Sequence, residues 1–219
     1  MQAIATFHSP FKEKFGIPRQ AGIVRDLPGY ISFEKPYDSP EAIRGLEDFD
    51  YIWVIWLSRE VSSSLTVRPP RLGGNKRMGV FATRSPFRPN PICLSCVRID
   101  HIDFQHNTIH VLGADILDGT TILDIKPYIP YCDAHPKARG GFTDTTEWQG
   151  LQVILPADAE IQLAQHGIPA ETLLQILSQD PRPHFHNDPE RIYGMTYLDC
   201  EIKFRVKDGV AHVLLLTFV

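Results

Sequence analysis

Residues 61–99 contain no aspartate and no glutamate. The same stretch carries seven basic residues: Arg68, Arg71, Lys76, Arg77, Arg84, Arg88 and Arg98. A one-signed run of this length is a candidate electrostatic footprint for a polyanion. It fits equally a loop whose counter-charges come from elsewhere in the fold. The net charge of the 219-residue chain is −4, so the basic character is local. Residues 151–219 hold nine acids and five bases, whereas residues 1–150 hold 17 of each.

Other absences narrow the class. No run approaches the roughly 18 apolar residues needed to span a bilayer, so no membrane segment is expected. The start, Met1-Gln-Ala-Ile-Ala-Thr-Phe-His, lacks a basic region followed by an apolar core, so no signal peptide is expected. Four cysteines in a chain this long do not make a disulfide framework, which points to the cytoplasm. There is no G-x-G-x-x-G after a strand and no Walker loop, so neither a Rossmann site nor a P-loop is supported. Cys93-Leu-Ser-Cys96 has C-x-x-C spacing, but there is no second pair. Positions three apart on a strand face opposite ways, so the thiols would diverge. Asp180-Pro-Arg-Pro-His184-Phe-His186-Asn-Asp188 offers ligand types for a metal, but its prolines splay them, and it reads as a polar turn. No metal site is expected.

Helical periodicity is also scarce over the first 130 residues. Ser39-Pro40-Glu41 is a good helix start, cut short by Gly45. Around it are short β-branched and aromatic runs: residues 1–7, 30–34, 51–57, 78–81, 92–99, 102–104, 108–112 and 122–127. Many short strands at close spacing suggest a closed barrel or a sandwich. From Pro156 the pattern changes. Residues 156–165 and 169–179 read as helices, with Leu173, Leu174 and Leu177 on one face. Residues 201–207 alternate, with Ile202, Phe204 and Val206 on one side, and Asp208-Gly209 turns the chain into a last strand. The reading is mainly β: a β-barrel N-terminal domain, 1–149, with a small α+β C-terminal domain, 150–219.

Two places carry chemistry. Phe81-Ala-Thr-Arg84-Ser-Pro-Phe-Arg88-Pro-Asn90-Pro-Ile holds two arginines stiffened by three prolines. Fixed guanidinium forks suit carboxylates and phosphates. Asp118-Gly119-Thr120-Thr121 offers a turn that permits close approach, beside an acid able to accept two ribose hydroxyls. These residues support an anionic or nucleotide ligand and nothing sharper.

Several blocks in order resemble the TsaA-like family, and within it the bacterial TrmO branch with a C-terminal extension. They are Pro18-Arg19-Gln20, Val67-Arg-Pro-Pro-Arg-Leu-Gly-Gly-Asn75, Met78 to Ile92, Asp118-Gly-Thr, and Leu123-Asp124-Ile-Lys126-Pro-Tyr128. The tail's Asp180-Pro-Arg-Pro resembles the extension. The resemblance implies a β-barrel that binds S-adenosylmethionine, acts as a homodimer, and methylates N6 of N6-threonylcarbamoyladenosine at position 37 of a threonine tRNA.

Carried over by motif, the cofactor contacts fall on Pro18, Arg19, Gln20, Arg84, Asp118, Gly119, Thr120 and Thr121. Arg59, Glu60 and Cys96 are aligned with further contacts, although this chain departs from the family pattern there. Family members commonly carry His-Gln where Arg59-Glu60 stands, glycine at Cys93 and proline at Thr121. The phosphate-tracking residues implied are Arg68, Arg71, Arg77, Arg88 and Lys126, with Asn90 beside them. No catalytic base is identified, and Asp124 is the candidate proton acceptor. Two other readings stay open on the residues: a non-catalytic RNA-binding barrel, and a methyltransferase of another small or RNA substrate.

Overall fold

The computed structural model describes residues 1–73, 76–146, 148, 150–183 and 188–218. Gly74 and Asn75 of the glycine motif, and His184 and His186 of the metal-like turn, lie outside the described residues.

The first half closes into a barrel. Its strands are β1 (Ala5–His8), β2 (Pro28–Phe33), β3 (Tyr51–Leu57), β6 (Ile92–Asp103), β7 (Thr108–Leu112) and β8 (Thr120–Pro127). They are ordered β1-β2-β7-β6-β3-β8, and every neighbouring pair is antiparallel. A closed sheet leaves no unpaired edge. Alternation along each strand fills the interior: Phe7, Ile31, Ile52, Val54, Val97, Ile109 and Ile122 are buried together. The sequence placed a break before Ile102. The structure instead runs β6 unbroken to Asp103, with an irregularity between Ile99 and His101 absorbing the mismatch with β7. The turn falls at Asn107, which takes a positive φ of 51°.

Among the described residues, the connection from β3 to β6 carries two two-residue strands, β4 (Thr66–Val67) and β5 (Met78–Gly79), paired with each other. The expected strand at 78–81 therefore stops after Gly79, where a 3-10 turn, Val80–Ala82, begins. Helix α1 (Pro40–Ile43) starts as expected, with Ser39 Oγ accepting from the amide of Glu41. A second short helix, α2 (Pro130–Asp133), follows β8 directly.

The tail packs α3 (Ala159–Gln165) and α4 (Ala170–Ser178) on a four-stranded sheet. The expected hairpin is present as β11 (Cys200–Lys207) and β12 (Val210–Phe218), turned at Asp208 and Gly209, both with positive φ. The sequence reading missed β9 (Gln152–Ile154), parallel to β12, and β10 (Ile192–Tyr197), antiparallel to β11. The core of this unit is not built from the tail alone. Phe11, Val24 and Leu27, from the loop between β1 and β2, are buried among Leu173, Leu177, Met195, Ile202 and Phe204. Gly16 sits close under Met195, with a positive φ of 97°. The loop that holds Pro18-Arg19-Gln20 is thus gripped by the C-terminal core.

Candidate functional site

A cavity of about 610 Å³ opens on the outer face of β3 and β6. Strand alternation explains its floor. Ile52 and Val54 point into the barrel, so Tyr51 and Trp53 point out; Leu94 and Cys96 do the same on β6, where Cys96 is the partner of Trp53. Gln20, Ala21 and Arg84 form one wall. Tyr128, Asp133 and His135 form the other.

The first wall is cross-linked. Arg84 Nη1 donates to Gln20 Oε1 at 3.1 Å, and Gln20 Nε2 donates to the carbonyl of Arg19 at 2.6 Å. Behind this wall lies Asp115. Its Oδ1 accepts from Ser95 Oγ at 2.5 Å, and Ser95 Oγ in turn accepts from Trp56 Nε1 at 2.9 Å. The amide of Ala21 also donates to this carboxylate. Loss of solvation pushes the Asp115 carboxyl up; the hydrogen bonds from Ser95 and the amides, and the charge of Arg84, oppose that.

The second wall is aromatic. Trp53 and Tyr128 lie 5.8 Å apart at 50°, and Tyr51 and Tyr128 lie 6.2 Å apart at 64°. Asp133 Oδ2 accepts from Trp53 Nε1 at 3.0 Å and from the amide of Ile129 at 2.9 Å. Those bonds hold its carboxyl below the usual range. Burial and the charge of Asp133 raise the Cys96 thiol, and Arg84 opposes them.

The sequence candidates are dispersed. Gln20, Arg84 and Cys96 meet at the cavity. Pro18 is buried in the preceding loop. Arg19 turns toward the tail: its Nη2 donates to the carbonyls of Asp180 at 3.1 Å and Arg182 at 3.4 Å, and its guanidinium lies 5.4 Å from the Trp148 ring centroid. Burial lowers its pKa, and Asp180 opposes the shift. Asp118, Gly119, Thr120 and Thr121 lie where β8 begins beside the end of β1. Asp118 Oδ1 accepts from the amide of Ser9 at 3.1 Å and lies 3.6 Å from His8 Nδ1, while the Gly119 amide donates to the carbonyl of Phe7. This turn does not line the cavity. Arg59 is exposed, and Glu60 pairs with Lys14. Asp124 is tied to Lys126 Nζ at 2.8 Å and to the amide of Ile125.

The basic run finds its partners both inside and outside its own stretch, and Arg98 lies 3.5 Å from the Asp26 carboxylate. Arg77 donates to Thr66 Oγ1 at 2.7 Å and to the Thr66 carbonyl at 3.2 Å. Arg88 Nη1 donates to the carbonyls of Thr83 and Ser85 and lies 5.8 Å from the Phe81 ring centroid. Arg71 Nε donates to the carbonyl of Thr146. Carbonyl acceptors leave the positive charge uncompensated. Arg68 and Asn90 are exposed. Cys93 and Cys96 are free thiols on β6, and burial pushes the Cys93 thiol up to about 11.

Sequence reasoning missed Tyr51, Trp53, Asp133 and His135. The signal for the first two was present: aromatics at 51 and 53 alternate with aliphatics at 52 and 54. Asp133 and His135 carried no local signal. Only the turn after β8 brings them onto β3.

Barrel, appendix and cavity together define an antiparallel barrel protein whose 610 Å³ cavity lies outside the barrel wall, against a loop held by a second unit. The tRNA-methyltransferase O N-terminal domain profile matches residues 6–134, and the TrmO C-terminal domain profile matches residues 149–218. The chain belongs to the tRNA-methyltransferase O family. It is 38% identical over 226 residues to the tRNA (adenine(37)-N6)-methyltransferase of Escherichia coli K12, covering 98% of this chain and 96% of that one. It is 45% identical over 168 residues to the protein of the same description from Eikenella corrodens, covering 74% and 94%. A crystal structure of TrmO from Pseudomonas aeruginosa superposes with a TM-score of 0.82 at 35% identity, covering 99% and 95%.

Proposed function

We propose that this chain is an S-adenosylmethionine-dependent tRNA (adenine(37)-N6)-methyltransferase. Its substrate is N6-threonylcarbamoyladenosine at position 37 of a threonine tRNA. The observation that carries the reading is the Gln20–Arg84 pair at one end of an aromatic cavity, in a chain that matches this family over residues 6–134 and 149–218.

The residues suit the cofactor. Arg84 offers a guanidinium fork to its carboxylate, with Gln20 setting the fork's orientation. Leu94 and Cys96 supply apolar surface beside it. Asp118 suits the ribose diol. When bound, S-adenosylmethionine supplies an electrophilic methyl group on a sulfonium. The chain's own task is then to position the acceptor nitrogen against that methyl, the kind of work that orientation alone accomplishes. Position 37 lies in a single-stranded loop, so no duplex has to be opened. Arg68, Arg71, Arg77, Arg88 and Lys126 follow phosphates, with Asn90 beside them.

Because the Asp118 turn does not line the cavity that Arg84 lines, a homodimer is the arrangement that lets both serve one ligand. Mixing Arg84→Ala and Asp118→Ala proteins tests this: activity recovered in the mixture supports shared sites, and none argues against them. The function itself is tested by mass spectrometry of tRNA from a deletion strain. The methyl on threonylcarbamoyladenosine should vanish, and the purified enzyme should restore it only on tRNA that carries the threonylcarbamoyl group. Unchanged modification in the deletion strain would refute the assignment.

A further inference from the structure

The cofactor reading uses only half of the cavity. The other half, formed by Tyr51, Trp53, Tyr128 and Asp133, has a different chemistry. Trp53 spends its N–H on Asp133, which fixes the indole plane and leaves its faces as apolar surface. Asp133 Oδ2 is filled by Trp53 and the Ile129 amide, while among the described residues Oδ1 takes a long contact of 3.8 Å from Cys132 Sγ. An ionised carboxylate accepts and never donates. This wall therefore offers flat aromatic surface beside a carboxylate oxygen, which suits a planar ring bearing an N–H.

The same end of the cavity is open to a strand. A second cavity of about 430 Å³ continues from it over Ala134–Ala138 and shares Ala134, His135 and Pro136 with the first. Lys137 lines that continuation, and Arg139 follows it, both exposed. Bases of single-stranded RNA are held by stacking on aromatic side chains, with cations along the backbone.

We infer that the Tyr51–Trp53–Tyr128 wall with Asp133 is the subsite for the acceptor adenine of the RNA, and that the groove over Ala134–Ala138 carries the flanking phosphates. This rests on the proposed function. Asp133 Oδ1 receives the N–H on N6 and so distinguishes adenine from guanine, which presents a carbonyl acceptor at the same position. Asp133 is a base-binding residue; its hydrogen bonds make it a poor proton acceptor.

The test measures two affinities on full-length protein: S-adenosylmethionine by calorimetry, and fluorescently labelled tRNA by anisotropy, with adenosine or guanosine at position 37. Wild type should prefer adenosine by about ten- to hundredfold, the range for one charge-assisted contact. Asp133→Asn keeps an oxygen for Trp53 and Ile129 but turns a donor toward the base. It should erase or invert that preference and leave cofactor affinity within about twofold, on the same scale of contact energies. Trp53→Leu should weaken both tRNAs alike. Lys137→Ala should lower the salt slope of binding by about one. Preserved discrimination in Asp133→Asn overturns the inference. So does a loss of cofactor affinity with tRNA binding unchanged, because the cofactor's own adenine would then occupy the wall. If wild type binds no cofactor yet Asp133→Asn still erases discrimination, the methyltransferase reading fails and the base subsite stands.

Discussion

Arg19 Nη2 donates to the carbonyl oxygen of Asp180 at 3.1 Å, joining the loop after β1 to the turn after α4 across 161 residues. That turn is itself rigid, because Asp180 takes both Arg182 Nε at 2.7 Å and Arg182 Nη2 at 2.9 Å. The C-terminal unit thus acts on the cavity from behind. It holds Arg19, whose carbonyl holds Gln20, whose side chain holds Arg84.

Arg19→Ala should therefore cost both stability and affinity. Losing a charged donor to part-buried carbonyls amounts to about 1.5–3 kcal/mol. Urea unfolding should show a lower midpoint, and calorimetry a weaker cofactor Kd. An intact Kd would separate the two units functionally.

Arg84→Ala should behave otherwise. Arg84 is exposed, and surface changes of this kind stay within about 0.5 kcal/mol of wild type. The urea midpoint should hold while cofactor binding is lost. A variant that binds normally would remove Arg84 from the site.

Asp115 gives a pH signature with a definite sign. Burial raises its folded pKa above the unfolded value, so the folded state holds the proton more tightly in the window between them. Its contribution to stability is full below about pH 4 and is lost as pH rises through the folded pKa. Asp115→Asn should remove that downward slope, measured as urea midpoints across pH 4–8, roughly the span from the unfolded carboxylate value upward. A parallel slope in the variant would show that Asp115 does not titrate.

Thiol chemistry should rank by exposure. Cys132 is exposed, Cys200 is fully buried, and burial pushes Cys93 and Cys200 each to about 11. Iodoacetamide near neutral pH should label Cys132 first and spare Cys93 and Cys200 until the protein unfolds. Rapid labelling of Cys93, read by peptide mass spectrometry, would contradict its placement.

Local chemistry set much of this in the sequence itself. Period-two alternation in β11 settles which side chains go inward, because a one-residue slip would expose the whole apolar set. Ser39-Pro40 and Asp208-Gly209 fix a helix start and a hairpin by backbone preference alone. The unopposed charge of residues 61–99 and the Arg84 loop are compositional facts, and the blocks around them disclosed the family.

Tertiary structure decided what local rules cannot reach. Strands β9 and β10 are short or weakly patterned, and their pairing depends on partners far along the chain. Phe11, Val24 and Leu27 read as loop residues, yet they lie in the core of the C-terminal unit, because burial follows contact in space. Asp133 and Trp53 are 80 residues apart. Only closure of the barrel between β3 and β8 makes them one wall. The sequence determined the barrel strands and the arginine loop; the fold alone determined what stands opposite Arg84 across the cavity, since long-range pairing is not written in any local window.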